Sequence, residues 1–148
     1  MTKHILPLLI GLGIAVAAIS PVSAQVPPSP AEVAAYTGLL AAAQHGDAEA
    51  LARLLADKPA VETRDAHQRT PLHIATYASQ HHAIRLLAAA GADLNALEYQ
   101  RYDPVTIAAV ANDEATLALL LALGARADNI TSPYDGTALI AAAHLGHV

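Results

Sequence analysis

The chain has 148 residues, of which 54% are hydrophobic, and a formal net charge of −5 at pH 7. A mildly acidic chain without a basic stripe repels phosphate backbones, so nucleic acid is not expected as a partner. The sequence contains no cysteine, which excludes disulfide bonds and a cysteine nucleophile. The fold must therefore be stabilised by packing, and the many alanines and leucines favour closely stacked helices.

Residues 1–24 have the pattern of a secretory signal peptide. Lys3 and His4 precede an apolar run from Ile5 to Ile19, and small side chains stand just before and at Ala24. The run is shorter than the roughly 20 residues that span a bilayer, and no cysteine is available for a lipid anchor. We expect cleavage after Ala24, which leaves a periplasmic or secreted chain that begins at Gln25. The net charge of this chain is one unit more negative because Lys3 is lost, and no membrane attachment is expected.

Residues 25–30 contain three prolines, so this segment is predicted to be an extended spacer ahead of the domain. Residues 31–148 then repeat with a period of about 33 residues, which indicates stacked helical units. The repeated starts are Thr37-Gly38-Leu39-Leu40-Ala41-Ala42, Thr70-Pro71-Leu72-His73-Ile74-Ala75, Asp103-Pro104-Val105-Thr106-Ile107-Ala108 and Thr137-Ala138-Leu139-Ile140-Ala141-Ala142.

Each unit is predicted to consist of a short helix, a tight turn, a longer helix and a loop. Thr70 and Pro71 are good residues for the start of the first helix, and Gly91 and Gly124 are expected to end the second helices. In the second helix, apolar residues recur at helical spacing, which predicts one buried stripe that neighbouring units cover. Its members in one unit are Ala83, Leu86, Leu87 and Ala90.

The Thr-Pro-Leu-His start at Thr70, the period of the repeat and the Gly-Ala-Asp ending at Gly91 closely resemble the ankyrin repeat. The resemblance covers residues 31–148, about three and a half units, and implies an all-α solenoid of stacked helix-turn-helix units. Gln68 and Arg101 stand where that family usually has a hairpin glycine, so these loops are expected to be less regular. The last unit lacks its second helix, which leaves apolar surface uncovered and suggests a fragment of a longer protein.

The resemblance also implies a concave binding surface made of loop tips and first helices. The side chains expected to be free for a partner on this surface are His67, Arg69, Tyr77, Tyr99, Gln100, Tyr102 and Tyr134. Tyrosine combines a large apolar face with a polar tip and is enriched at interface hot spots. Replacing these tyrosines is therefore expected to weaken partner binding and to leave the stability of the fold nearly unchanged.

The sequence favours a non-enzymatic scaffold, active as a monomer and without a cofactor, that binds another protein in the cell envelope. One alternative is a histidine-dependent metal protein or hydrolase, using His81-His82 or His144 and His147. Adjacent helix residues point in different directions, and no cysteine or carboxylate completes a ligand set, so no metal site is predicted. Another alternative is a regulatory part of a longer chain.

Overall fold

The computed structural model describes residues 25–56, 61–131 and 135–147. The predicted signal peptide and Tyr134 lie outside these residues. The described part of the chain contains eight helices and one isolated bridge, between Thr131 and Gly136. The helices are α1 (Pro30–Ala35), α2 (Gly38–His45), α3 (Ala48–Ala56), α4 (Pro71–Tyr77), α5 (His81–Ala89), α6 (Pro104–Val110), α7 (Glu114–Ala122) and α8 (Ala138–His144).

The helices stack in two rows. The first helices of the units, α2, α4, α6 and α8, pack each on the next, and the second helices α3, α5 and α7 form the other row. Leu87 and Leu120, at the same position of α5 and α7, are both fully buried. This arrangement confirms the all-α repeat solenoid.

Local sequence explains where the helices begin and end. The Thr70 side chain accepts a hydrogen bond from the His73 amide, and Pro71 is the first residue of α4. Asp103 caps α6 in the same way through the Thr106 amide, at 2.7 Å. Gly91 follows the end of α5 with a φ of 92°, as expected of a glycine that ends a helix.

The predicted apolar stripe of α5 is only partly correct. Ala83 and Leu87 are buried and Leu86 is half-buried, but Ala90 is exposed. Ala90 is the C-cap residue of α5, so it lies past the last helical residue, at the exposed end of the helix. No helix in the described ranges is long and apolar enough to span a membrane.

Candidate partner-binding surface

The loops between units form hairpin tips that stand side by side. In the first, the Gln68 amide donates to the Asp65 carbonyl at 3.0 Å and the Asp65 amide to the Arg69 carbonyl at 3.1 Å. Glu98, Arg101 and Tyr102 repeat this pattern in the next unit, with distances of 2.9 and 3.1 Å. The expected irregularity is therefore absent. Gln68 and Arg101 instead adopt the left-handed conformation, with φ of 60° and 66°.

Adjacent tips are also bonded to each other. The Tyr99 amide donates to the His67 carbonyl at 2.9 Å, which joins the first two tips. The Arg101 guanidinium lies 2.8 Å from the carboxylate of Asp135, which joins the second tip to the third. The main-chain bond between the first two tips fixes their spacing, so side chains on them have defined positions relative to one another.

Two of the predicted site residues project from these tips into solvent. Tyr99 is 73% exposed, the largest value among the exposed large hydrophobic residues of the described chain. His67 is exposed, and Gln100 is half-buried, with its amide donating to Glu98 Oε1 at 2.8 Å. The structure thus brings His67, Tyr99 and Gln100 together on one surface.

The prediction that Arg69 is a free surface residue is wrong. Only 1% of Arg69 is exposed, because its guanidinium lies between two carboxylates. Nε donates to Asp65 Oδ2 at 2.6 Å, Nη2 donates to Glu32 Oε1, and Nη1 reaches the Val26 carbonyl at 3.4 Å. A buried guanidinium with several acceptors is a structural crosslink between the first tip and the N-terminal segment.

The acids around Arg69 are held in their ionised form. Hydrogen bonds from the Ser29 hydroxyl and amide, aided by Arg69, lower the pKa of Glu32 to about 2. Burial by itself raises the pKa of Asp65. The pKa of Asp65 is nevertheless lowered, because the Arg69 amide, the Tyr36 hydroxyl and the Arg69 guanidinium all donate to its carboxylate.

Tyr102 is also buried rather than free, with 2% of its surface exposed. Its amide donates to Glu98 Oε1 at 3.0 Å, and its carbonyl lies 3.2 Å from His73 Nε2. Burial raises the pKa of Glu98, although the amides of Tyr102 and Gln100 partly offset this effect. Tyr102 therefore belongs to the packing between units. The sequence suggested that replacing Tyr102 would leave the stability of the fold nearly unchanged, but the burial of its side chain makes a loss of stability the expected result.

Tyr77 is half-buried at the end of α4. Its hydroxyl oxygen is buried and has no hydrogen-bond partner in the part of the chain that the structure describes. Burial accordingly raises the pKa of Tyr77. Tyr77 thus presents little surface to a partner in this conformation, and Tyr134 cannot be compared with it because Tyr134 lies outside the described residues.

Glu32, Asp65 and His67 are the one group of three metal-ligating side chains that the described residues bring together. The Arg69 guanidinium contacts all three and supplies positive charge where an ion would lie. The histidine pairs considered in the sequence have other contacts. His81 Nε2 lies 2.9 Å from the Thr116 hydroxyl, and His147 Nδ1 lies 3.4 Å from the Ala109 carbonyl.

A second feature is an apolar cavity of about 210 Å³ between α6, α7 and α8. Leu117, Leu121 and Leu139 contribute to its lining. Leu139 and the neighbouring Ile140 are 66% and 60% exposed. The last described helix thus carries the uncovered apolar surface that the sequence predicted.

Sequence reasoning missed Asp65 and Glu98, which organise the two tips. A usable signal existed, because these acids stand one repeat period apart, at the same place in their units. Each accepts main-chain amides of its own turn, a common role of acidic side chains in loops. Their recurrence at the repeat period therefore marks turn residues rather than binding residues.

A family model described as "Ankyrin repeats (3 copies)" matches residues 15–98. The chain is 34% identical over 111 residues to the probable E3 ubiquitin-protein ligase XBOS31 of Oryza sativa subsp. japonica, covering 74% of this chain and 25% of that protein. It is 32% identical over 110 residues to the putative ankyrin repeat protein YahD of Escherichia coli (strain K12), covering 74% of this chain and 54% of that protein.

The chain therefore spans about a quarter and about half of the lengths of these two relatives. Ankyrin repeats generally mediate protein–protein interaction and are typically non-enzymatic scaffolds. Since the family model covers more than half of the sequence and the described helices stack in its repeating pattern, this chain belongs to the ankyrin-repeat family.

Proposed function

We propose that this chain is a non-enzymatic scaffold that binds another protein through the row of hairpin tips, with Tyr99 as the anchoring side chain. The observation that carries the proposal is the exposure of Tyr99, 73%, on a tip whose main chain is bonded to its neighbour at 2.9 Å. A rigidly placed aromatic side chain loses little conformational entropy on binding, which is why such residues make effective interface anchors.

His67 and Gln100 flank Tyr99 and supply polar groups at the edge of the same surface. A large aromatic centre with a polar rim is the usual composition of an interface patch. Arg69 and Tyr102 support this surface from below, because their burial holds the two tips in place. Their contribution to binding is thus indirect.

The test places a photoreactive amino acid at position 99 or, as a control, at His82, an exposed residue of α5. A discrete crosslinked product from position 99 that is absent from position 82 identifies the partner. Against that purified partner, Tyr99→Ala should weaken binding roughly thirtyfold, corresponding to about 2 kcal/mol. Equal crosslinking at both positions, or an unchanged affinity, would show that the tips are not the interface.

We further propose that the protein acts in the cell envelope, periplasmic or secreted. The support is the sequence of residues 1–24, with Lys3 before the apolar run and small residues before Gln25. N-terminal sequencing of exported protein should therefore begin at Gln25. Exported protein that still carries Met1 would contradict cleavage at this position.

A further inference from the structure

Residues 25–29, here called the N-terminal strap, leave the start of α1 and cross two units of the solenoid. Ser29 caps α1 through the Glu32 amide. The Val26 carbonyl then accepts from Arg69 at 3.4 Å, and the Gln25 amide group donates to the Ile107 carbonyl of α6 at 3.3 Å. The strap therefore lies against the first hairpin tip and a first helix, 43 and 82 residues away in sequence.

The surface beneath the strap is buried without belonging to the main core. Ile107 and Tyr102 are 0% and 2% exposed. Neither is part of the hydrophobic cluster that joins the helices. Gln25 contacts the carbonyl of Ile107, and Val26 contacts Arg69. The strap thus contacts a surface that extends from Arg69 to Ile107.

The contacts of the strap are of a kind that another peptide could replace. Arg69 donates to a main-chain carbonyl, and every residue of an extended segment has one. Both contacts, at 3.3 and 3.4 Å, exceed the usual range of an N–H to O hydrogen bond. Pro27 and Pro28 restrict the strap to an extended form, so little conformational entropy is lost when it is seated.

This covered surface is continuous with the row of tips. The His67 carbonyl accepts from the Tyr99 amide, and the His67 ring lies 3.2 Å from the Arg69 guanidinium. A partner seated on Tyr99 is therefore only a few residues away from the position of Val26. Any segment of that partner that extends along the first helices would meet the strap.

We propose that the inner surface between Arg69 and Ile107 binds an extended, proline-containing peptide segment, and that the strap occupies it as an internal competitor of the partner. This inference rests on the proposed function, since it assigns the strap a role in partner binding. In the free protein the strap is seated. A partner that supplies an extended segment of its own displaces it.

The absence of cysteine from the sequence allows a direct test with a single spin label. Val26→Cys places a nitroxide on a side chain that is 49% exposed, while the main-chain carbonyl that Arg69 contacts is retained. With the strap seated, the label should broaden the amide NMR signals of Tyr102 and Ile107. A control label at His82→Cys, on the exposed face of α5, should leave both signals sharp.

A synthetic peptide with the sequence of residues 25–30, Gln-Val-Pro-Pro-Ser-Pro, is then added at about 10 mM. This concentration is chosen because a short tethered segment has an effective concentration in the millimolar range. We expect at least a twofold recovery of the two signals, and a smaller recovery with a peptide that has glycine at the first two prolines. Signals that are sharp before the peptide is added, or that stay broadened after it, would overturn the inference. Neither measurement uses the partner, so a failed crosslink at Tyr99 would be a separate result.

Discussion

We predict that His73 makes the stability of this protein sensitive to mild acid. Its ring is buried in α4, where Nδ1 accepts from the Thr70 amide at 3.1 Å and Nε2 lies 3.2 Å from the Tyr102 carbonyl. These contacts fit a neutral ring that carries its proton on Nε2. Protonation would add a hydrogen to Nδ1, which faces the Thr70 N–H and has the Thr70 hydroxyl as its acceptor at 2.8 Å. The main cost of the charged ring is therefore its burial.

The size of the effect follows from the pKa difference. Burial lowers the pKa of His73 from 6.5 to about 4. Because the folded-state pKa is the lower one, the contribution of His73 is fully present above pH 6.5 and is lost as the pH falls toward 4. Between pH 8 and pH 5 the free energy of unfolding should decrease by about 2 kcal/mol from this residue alone.

Urea denaturation at pH 8 and pH 5 measures this loss in the wild type, in His73→Gln and in His82→Gln. The His73→Gln variant should be less stable at pH 8 but should lose about 2 kcal/mol less between the two pH values. Glu98 works in the opposite direction, since its raised pKa favours the folded state as the pH falls, but all three proteins contain it. An equal decrease in the wild type and His73→Gln would refute the assignment, and His82→Gln controls for the loss of a histidine at an exposed position.

Three further predictions concern stability, each measured by urea denaturation at pH 7.5. Tyr102→Ala should cost about 3 to 5 kcal/mol because the side chain is buried, and a cost below about 1 kcal/mol would argue for a surface position. Leu87→Ala and Leu120→Ala should each cost about 2 to 5 kcal/mol, and unchanged midpoints would contradict the stacking register. Gln68→Gly should stabilise by about 1 kcal/mol by relieving the positive φ, whereas Arg53→Gly within α3 should destabilise by a similar amount.

The repeat architecture could be predicted from sequence because its signals are local and periodic. Thr70, Pro71 and Gly91 each act on the few residues around them, and the repeat period places Leu87 and Leu120 at the same level of neighbouring units. Such features recur along the chain, so they can be recognised without knowing its path. The described helices begin and end accordingly.

The burial of Arg69 could not be predicted in this way. It depends on Glu32, which lies 37 residues away, and on Val26, which lies 43 residues away and precedes the repeated units. The prolines predicted an extended spacer over residues 25–30, but Pro30 is already the first residue of α1. They also contain no information about the surface on which the segment lies. Long-range contacts of a non-repeating segment leave no periodic signal.

Arg69 and Tyr102 also show why the family pattern was a poor guide to exposure. They occupy equivalent positions in the turns that Asp65 and Glu98 begin, and the resemblance to the family implied that both side chains are free. In the first tip the acid pairs with the arginine, and in the second the acid accepts the amides of Gln100 and Tyr102 while the tyrosine ring is buried. Arg69 and Tyr102 thus stabilise two equivalent turns through different interactions. A position that varies between repeats is consequently a candidate for binding only where the turn does not use it, as at Tyr99, whose amide is bonded while its side chain extends into solvent.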